Sequence, residues 1–282
     1  MTGVTRLTLL GTGSSGGVPR ANGDWGACNP DNPRNRRRRC SALLERARTP
    51  GDLQEGEAVT RVVIDTSPDF REQMISAGVK RLDGVLLTHE HADQTHGIDD
   101  VRAFALLQRH RIPVWMDDRT ADIMLARFSY AFVAPKGSIY PPILDARREL
   151  EPLRTIDVDG PGGVLSVTPF DQEHGPIRSL GFVSDGLAYS ADISGLPDES
   201  AGLLHGVACW AVDALREEHH PTHYTVSDAL AAIRQVGASQ AVLTNLHITL
   251  DYDTLSRQLP EGVYCAYDGL SVTRSGDRVC ID

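Results

Sequence analysis

The sequence has few cysteines, and their spacing does not form a recognised framework. Five cysteines occur among 282 residues, an odd number, and no CxxC pair is present. This pattern excludes a disulfide-stapled scaffold and a self-contained zinc ribbon, since both need closely paired cysteines. Free thiols are typical of a reducing compartment, so we expect a cytoplasmic protein.

Long apolar runs and an excess of basic residues are also absent. No stretch approaches the roughly 18 uninterrupted apolar residues of a membrane-spanning helix, and the apolar run among the first residues is too short for a secretory signal peptide. The formal net charge is −10, whereas broad nucleic-acid binding needs a basic surface. We therefore expect neither a membrane partner nor a stable nucleic-acid complex.

The chain lacks a linker rich in Pro, Gly or Ser, so residues 1–282 are predicted to form a single domain. With 41% hydrophobic residues, that length is ample for a large buried core. Short β-type apolar runs alternate with stretches of helical period, which predicts an α/β or layered α+β fold. Composition does not distinguish a sandwich of two sheets from one doubly wound sheet. The predicted helices lie at 70–78, 98–109, 121–127 and 226–236.

Three histidines and an aspartate lie close together after the apolar run at 84–87. His89 and His91 are two residues apart at the end of a predicted strand, so an extended backbone points both imidazoles to one side. Asp93 follows at the turn into the next helix, and His96 completes the group. Histidine and carboxylate together suit zinc, manganese or iron. The segment therefore predicts a metal site rather than a polar surface loop.

This segment resembles the H-x-H-x-D-H motif of the metallo-β-lactamase superfamily, and here it reads His-Glu-His-Ala-Asp-Gln. Later positions match the family's remaining ligands in order. The resemblance implies a first metal site formed by His89, His91, His174 and Asp192. It also implies a second metal site around Asp93, and Asp192 would bridge the two sites.

The resemblance covers nearly the whole chain, including the glycine-rich loop at 11–17. The segments 96–102 and 267–270 look most like the phosphodiesterase branch, which contains phosphoribosyl 1,2-cyclic phosphate phosphodiesterase and, more distantly, ribonuclease Z. The resemblance implies the family's four-layer αββα sandwich.

The second site departs from the family pattern. Gln94 stands where the last histidine of the motif belongs, and Asn245 stands where a late histidine follows Leu-Thr. Amides bind metals only through the carbonyl oxygen and more weakly than imidazoles. Either His247 reaches into the site instead, or the site is weak and takes a harder ion. We favour the first alternative and expect two divalent ions, zinc or manganese. With only Cys28 and Cys40 in the loop after the first strand, we expect no structural zinc.

The resemblance implies a hydrolase in which a metal-bound hydroxide attacks the substrate. Asp93 is expected to orient or deprotonate the attacking water besides binding metal. The leaving alkoxide needs a proton donor, and His223, just before the helix at 226–236, is the candidate because histidine titrates near neutral pH. The alternative is a histidine that only caps or packs the helix entry. Its neighbours His219 and His220 are expected to be surface residues.

The sequence favours a phosphodiesterase acting on a small phosphorylated substrate, such as a cyclic phosphate or a short nucleotide. Processing of tRNA 3′ ends is disfavoured because no long basic insertion is present to grip tRNA. Lactone or thioester hydrolysis stays an alternative, since the same metal centre attacks carbonyls. So does a non-catalytic protein of the same fold that binds a metal and a metabolite. The sequence also leaves a homodimer open.

Overall fold

Two β-sheets form the centre of the computed structural model, which describes residues 3–282. The first sheet has eight strands and the second has seven. In chain order, the strands are β1 Val4–Gly11, β2 Ser41–Ala47, β3 Val59–Ile64, β4 Gly84–Leu86, β5 Ile112–Trp115, β6 Leu144–Arg147, β7 Ile156–Val158, β8 Leu165–His174, β9 Ile177–Ser184, β10 Leu187–Ser190, β11 Cys209–Asp213, β12 Gln240–Thr244, β13 Val263–Cys265, β14 Ser271–Ser275 and β15 Arg278–Ile281.

Helices connect the strands, and most of them are short. Two 3₁₀ turns lie at Pro33–Asn35 and Ile98–Val101. In chain order, the α-helices are α1 Pro50–Glu55, α2 Phe70–Ser76, α3 Ala92–Thr95, α4 Arg102–Gln108, α5 Asp118–Arg127, α6 Ser129–Phe132, α7 Asp198–Leu204, α8 Val226–Val236 and α9 Tyr252–Gln258. Within residues 3–282, no helix is long and apolar enough to cross a membrane.

The strand order is β15-β14-β1-β2-β3-β4-β5-β6 in the first sheet and β13-β12-β11-β10-β9-β8-β7 in the second. A central core of side chains such as Leu44 and Phe182 fills the space between the sheets. Phe70 of α2 packs on the outer face of the first sheet, and Ile233 of α8 packs on that of the second. Helices therefore cover both outer faces, which confirms the predicted αββα sandwich.

Local sequence signals account for several helix boundaries. The predicted helix at 226–236 is confirmed, and it starts with a capping box in which Thr225 and Asp228 bond each other's backbone N–H. The stretch predicted as a helix from 98 begins instead as a 3₁₀ turn before α4.

The strands of the second sheet bring distant polar residues together. β10, β11 and β12 are parallel neighbours, with Ser190 opposite Val212 and Val212 opposite Leu243. Carboxyl ends of parallel strands meet at the same edge of a sheet, so the residues that follow these positions lie side by side. Those residues include Asp192, Asp213 and Asn245.

Candidate active site

Four side chains predicted as first-site metal ligands converge near the ends of strands from both sheets. Their ligand atoms all lie within 4.8 Å of one another, and they belong to His89, His91, His174 and Asp192. The Nε2 atoms of His89 and His174 lie 3.5 and 3.6 Å from Asp192 Oδ2. Tetrahedral ligands about 2.1 Å from an ion are about 3.4 Å apart. The spacing therefore fits one divalent ion.

Neighbouring groups orient two of these imidazoles towards the cluster. The Nδ1 atom of His174 donates to the carbonyl oxygen of Thr222 at 2.7 Å, so the Nε2 lone pair faces the other ligands. Thr88 Oγ1 lies 2.9 Å from His89 Nδ1 and also bonds the buried carboxylate of Asp65. Such outer partners fix the ring orientation and tautomer of metal-binding histidines.

The protonation state of His89 also suits metal binding. Burial, followed by the neighbouring histidines, lowers the pKa of His89 well below its usual value, so the ring is neutral at pH 7. Neutral imidazole is the form that binds metals. Its Nε2 atom is buried and has no hydrogen-bond partner in residues 3–282. A bound cation would satisfy this atom, so the first site fits a metal.

Asp93 lies beside the cluster, although its carboxylate is not among the four mutually close ligands. It lines the adjacent cavity. Burial and, after it, the charge of Asp192 raise the pKa of Asp93 to about 6. A carboxylate with a pKa near neutrality can accept a proton at physiological pH.

The residues of the second site do not fit a second ion. Asn245 directs its amide Nδ2 at Asp192 Oδ1 and Asp213 Oδ1, both at 3.1 Å. An amide nitrogen donates hydrogen bonds and has no lone pair for a metal. Gln94 is buried and contacts Asp93 Oδ2 through Nε2 at 3.5 Å. The two positions that carry histidines in the family motif thus present hydrogen-bond donors to carboxylates.

His247 lies outside the cluster and makes other contacts. Its Nε2 atom is 2.7 Å from the guanidinium of Arg20, and its Nδ1 atom is 3.1 Å from Thr249 Oγ1. Because a guanidinium only donates, Nε2 must accept, which uses the lone pair that a metal would need. The structure therefore gives no support to the prediction that His247 replaces Asn245 as a ligand.

His223 forms a close pair with Asp213 at the cavity wall. Its Nδ1 atom lies 2.6 Å from Asp213 Oδ2, and its ring lies edge-on to that of His174 with 4.8 Å between the centroids. Burial disfavours the charged ring, but the charge and hydrogen bond of Asp213 outweigh it and raise the pKa of His223 to about 9. The ring is therefore protonated at pH 7. Sequence reasoning missed Asp213, although a carboxylate directly after a buried β-type run was a usable signal.

The dependence of His223 on Asp213 can be measured in the metal-free protein. A raised pKa means that the pair stabilises the fold fully below pH 6.5, and that this contribution is lost as the pH rises through about 9. We expect Asp213→Asn to lower the pKa of His223 towards 6.5, as observed by NMR titration of the ring. Asp171→Asn, in a peripheral pair with Arg178, should leave that pKa unchanged. An unchanged pKa in Asp213→Asn would contradict the assignment.

A cavity of about 360 Å³ opens beside the cluster. The side chains of two arginines and three histidines line it, and Asp93 is the one acidic residue among the described lining residues. The cavity wall includes His220, a partly exposed residue whose ring lies 5.0 Å from that of His223. His96 instead packs edge-on against Phe128, away from the cavity. The nitrogen groups on the wall belong to Arg20, Arg216, His220, His223 and His247.

Comparisons with known proteins agree with this architecture. Residues 60–248 match the family model of the beta-lactamase superfamily domain. A crystal structure of a diphosphatase from the PhnP family is 30% identical, with a TM-score of 0.83 over 97% of this chain and 98% of that one. The short form of human tRNase Z is 18% identical, with a TM-score of 0.61 over 94% and 98% of the two chains.

A curated relative, the octanoyltransferase of Porphyromonas gingivalis (strain ATCC BAA-308 / W83), is 32% identical over 281 residues. The match covers 97% of this chain and 53% of the relative, so the chain spans about half the length of that protein. The family match, in contrast, includes more than half of this chain and all the residues of the first metal site. The chain is thus a member of the metallo-β-lactamase superfamily, a group of metal-dependent hydrolases.

Proposed function

We propose that this protein is a phosphodiesterase that cleaves a small phosphorylated substrate. The observation that carries the proposal is the cationic cavity wall beside the metal cluster. Arg20 and Arg216 both line this cavity, and neither forms an ion pair with a carboxylate of residues 3–282. Uncompensated guanidinium groups favour a phosphate, which they bind with charge-assisted hydrogen bonds. An uncharged lactone or thioester would not need them.

The four clustered ligands would hold the catalytic ion, zinc or manganese. Such an ion lowers the pKa of a bound water and offsets negative charge that develops on phosphoryl oxygens. Asp93, on the cavity side of the cluster, is positioned to accept a proton from the attacking water. His89, His174 and Asp192 stay fixed throughout, because they are buried and their partners hold them in place.

His223 would donate the proton that the leaving alkoxide requires. Its Nδ1 atom is hydrogen-bonded to Asp213, so its Nε2 atom is the ring nitrogen available to a substrate in the cavity. A ring with a pKa of about 9 carries the proton at neutral pH. Asp213 therefore acts as a positioning residue, which keeps His223 charged and orients it.

Similarity to the PhnP-family diphosphatase supports a substrate with phosphate groups. A cavity of about 360 Å³ is at the small end of ligand pockets, which span about 300–1,000 Å³. It suits a cyclic phosphate or a short nucleotide better than a folded RNA. The octanoyltransferase name belongs to a relative of about twice this length. We therefore do not extend a transferase activity to this chain.

The proposal predicts that the cavity arginines contribute to substrate binding. We expect the protein loaded with zinc or manganese to hydrolyse bis(p-nitrophenyl) phosphate and a five-membered cyclic phosphate. Arg216→Ala should raise KM by about tenfold, because a hydrogen bond to a charged group contributes about 1.5 kcal/mol or more. Steady-state kinetics check this expectation.

Arg278→Ala serves as a matched control, because Arg278 is an exposed arginine on the edge strand β15. Its KM should equal that of the unaltered protein. Hydrolysis of lactones or thioesters without any turnover of phosphodiesters would overturn the proposal. Absence of all turnover in the metal-loaded protein would favour a binding protein of the same fold.

A further inference from the structure

We infer that this centre holds one divalent ion, and that the Asn245 amide takes the place of a second cation. Asn245 is 2% exposed and lies between two buried carboxylates. Its Nδ2 atom is 3.1 Å from Asp192 Oδ1 and 3.1 Å from Asp213 Oδ1. The same amide therefore joins the metal cluster to the acid that holds His223.

The orientation of this amide follows from its hydrogen-bond partners. Its Nδ2 atom also lies 3.3 Å from His223 Nδ1, whose closer partner is Asp213 Oδ2 at 2.6 Å. Carboxylates only accept hydrogen bonds when ionised, so the NH₂ group must face Asp192 and Asp213. A flipped amide would put its oxygen against two carboxylate oxygens. On the other side, the buried thiol of Cys40 lies 3.6 Å from Asn245 Oδ1 and donates to it. Both ends of the amide are thus satisfied in one orientation only.

The backbone also holds Asn245 in this position. Its φ is +59°, a left-handed conformation that asparagine tolerates better than most residues. The next residue is anchored on both sides, because Leu246 N donates to Thr12 O at 2.8 Å and Ser14 N donates to Leu246 O at 3.3 Å. These bonds fix the backbone position from which the amide reaches both carboxylates.

The remaining members of the second site are a poor ligand set. Gln94 is 1% exposed, and its Oε1 atom has no hydrogen-bond partner in the described chain. It would offer a second ion one neutral oxygen beside the carboxylate of Asp93. Imidazole is absent from this set, and amide oxygens favour only hard ions held by several oxygen ligands. A single ion at the first site would face Asp192, and His223 pairs with Asp213 at 2.6 Å. The two N–H groups of Asn245 then complete the hydrogen bonds of both carboxylates.

Metal stoichiometry tests the one-ion centre independently of any substrate. Protein incubated with excess zinc or manganese and then passed through a desalting column should contain one ion per chain by plasma mass spectrometry. The double variant Gln94→His/Asn245→His should contain two. Histidine is among the residues that tolerate a positive φ, so the new ring suits the backbone at position 245.

Two further measurements make the result specific. Manganese-loaded double variant should show the electron paramagnetic resonance signal of a coupled pair, whereas the unaltered protein should show isolated Mn²⁺. Asn245→Ala removes the amide but adds no ligand, so it should still bind one ion. Two ions per chain in the unaltered protein would overturn the inference, whether or not the double variant folds. One ion with no phosphodiester turnover would instead contradict only the proposed function.

Discussion

Replacing His223 with alanine is expected to lower kcat for phosphodiester hydrolysis by about 100- to 10,000-fold, the usual contribution of a positioned general acid. The variant loses the protonated ring that Asp213 holds at 2.6 Å. It retains the four clustered ligands, so its metal content should be unchanged. Steady-state kinetics and plasma mass spectrometry on the same preparation separate these two effects.

His219→Ala is the matched control for this variant. His219 lies four residues earlier on the same loop, but its side chain is exposed and does not line the cavity. Its kcat should stay within about twofold of that of the unaltered protein, because substitutions of exposed residues away from buried contacts usually have small effects. Added imidazole should restore part of the activity of His223→Ala. Activity close to that of the unaltered protein in His223→Ala would show that another group supplies the proton.

Replacing His89 with alanine should weaken metal binding by at least about 100-fold. Residues that only hydrogen-bond to a metal ligand contribute up to about 100-fold in affinity, and His89 is expected to bind the metal directly. The ligand atom of His89 belongs to the cluster, is buried and has no hydrogen-bond partner in residues 3–282. Turnover should fall with the loss of the ion. Chelation of the unaltered protein should likewise abolish turnover, and added zinc or manganese should restore it. Calorimetric titration measures the affinity.

His96→Ala provides the comparison within the same motif. His96 is exposed, and its ring packs against Phe128 rather than facing the cluster. We expect this variant to bind metal with unchanged affinity. Equal affinity in His89→Ala and the unaltered protein would mean that the ion lies elsewhere. Thermal unfolding of the metal-free forms should accompany both titrations, because His89→Ala also removes a fully buried ring.

Local patterns in the sequence predicted those features that depend on neighbouring residues. The alternation of β-type and helical segments indicated the fold class, and Thr225 with Asp228 marked the start of α8. The pair His89 and His91 was recognisable because two extended residues place their side chains on one face. The later ligands, His174 among them, came from the resemblance rather than from any local signal.

Contacts between distant segments could not be obtained in this way. The sequence left open whether His247 or a weak site compensates for Asn245, since both side chains follow the same strand. The left-handed backbone at Asn245 and the proximity of Arg20 decide where each of them points. Asp213 was overlooked for a similar reason, because its importance depends on His223, which approaches it from another loop.

By itself, the sequence determined a layered α/β fold class and a metal-binding pair in His89 and His91, and its resemblance to the metallo-β-lactamase superfamily implied the hydrolase and the later ligands. The fold class and the histidine pair follow from hydrophobic period and from residue chemistry, which are written locally along the chain. Only the tertiary structure decided which side chains meet at one ion and which amide faces the carboxylates. Side-chain direction at the end of parallel strands depends on register and on the loops packed above them, and neither is encoded in any single segment.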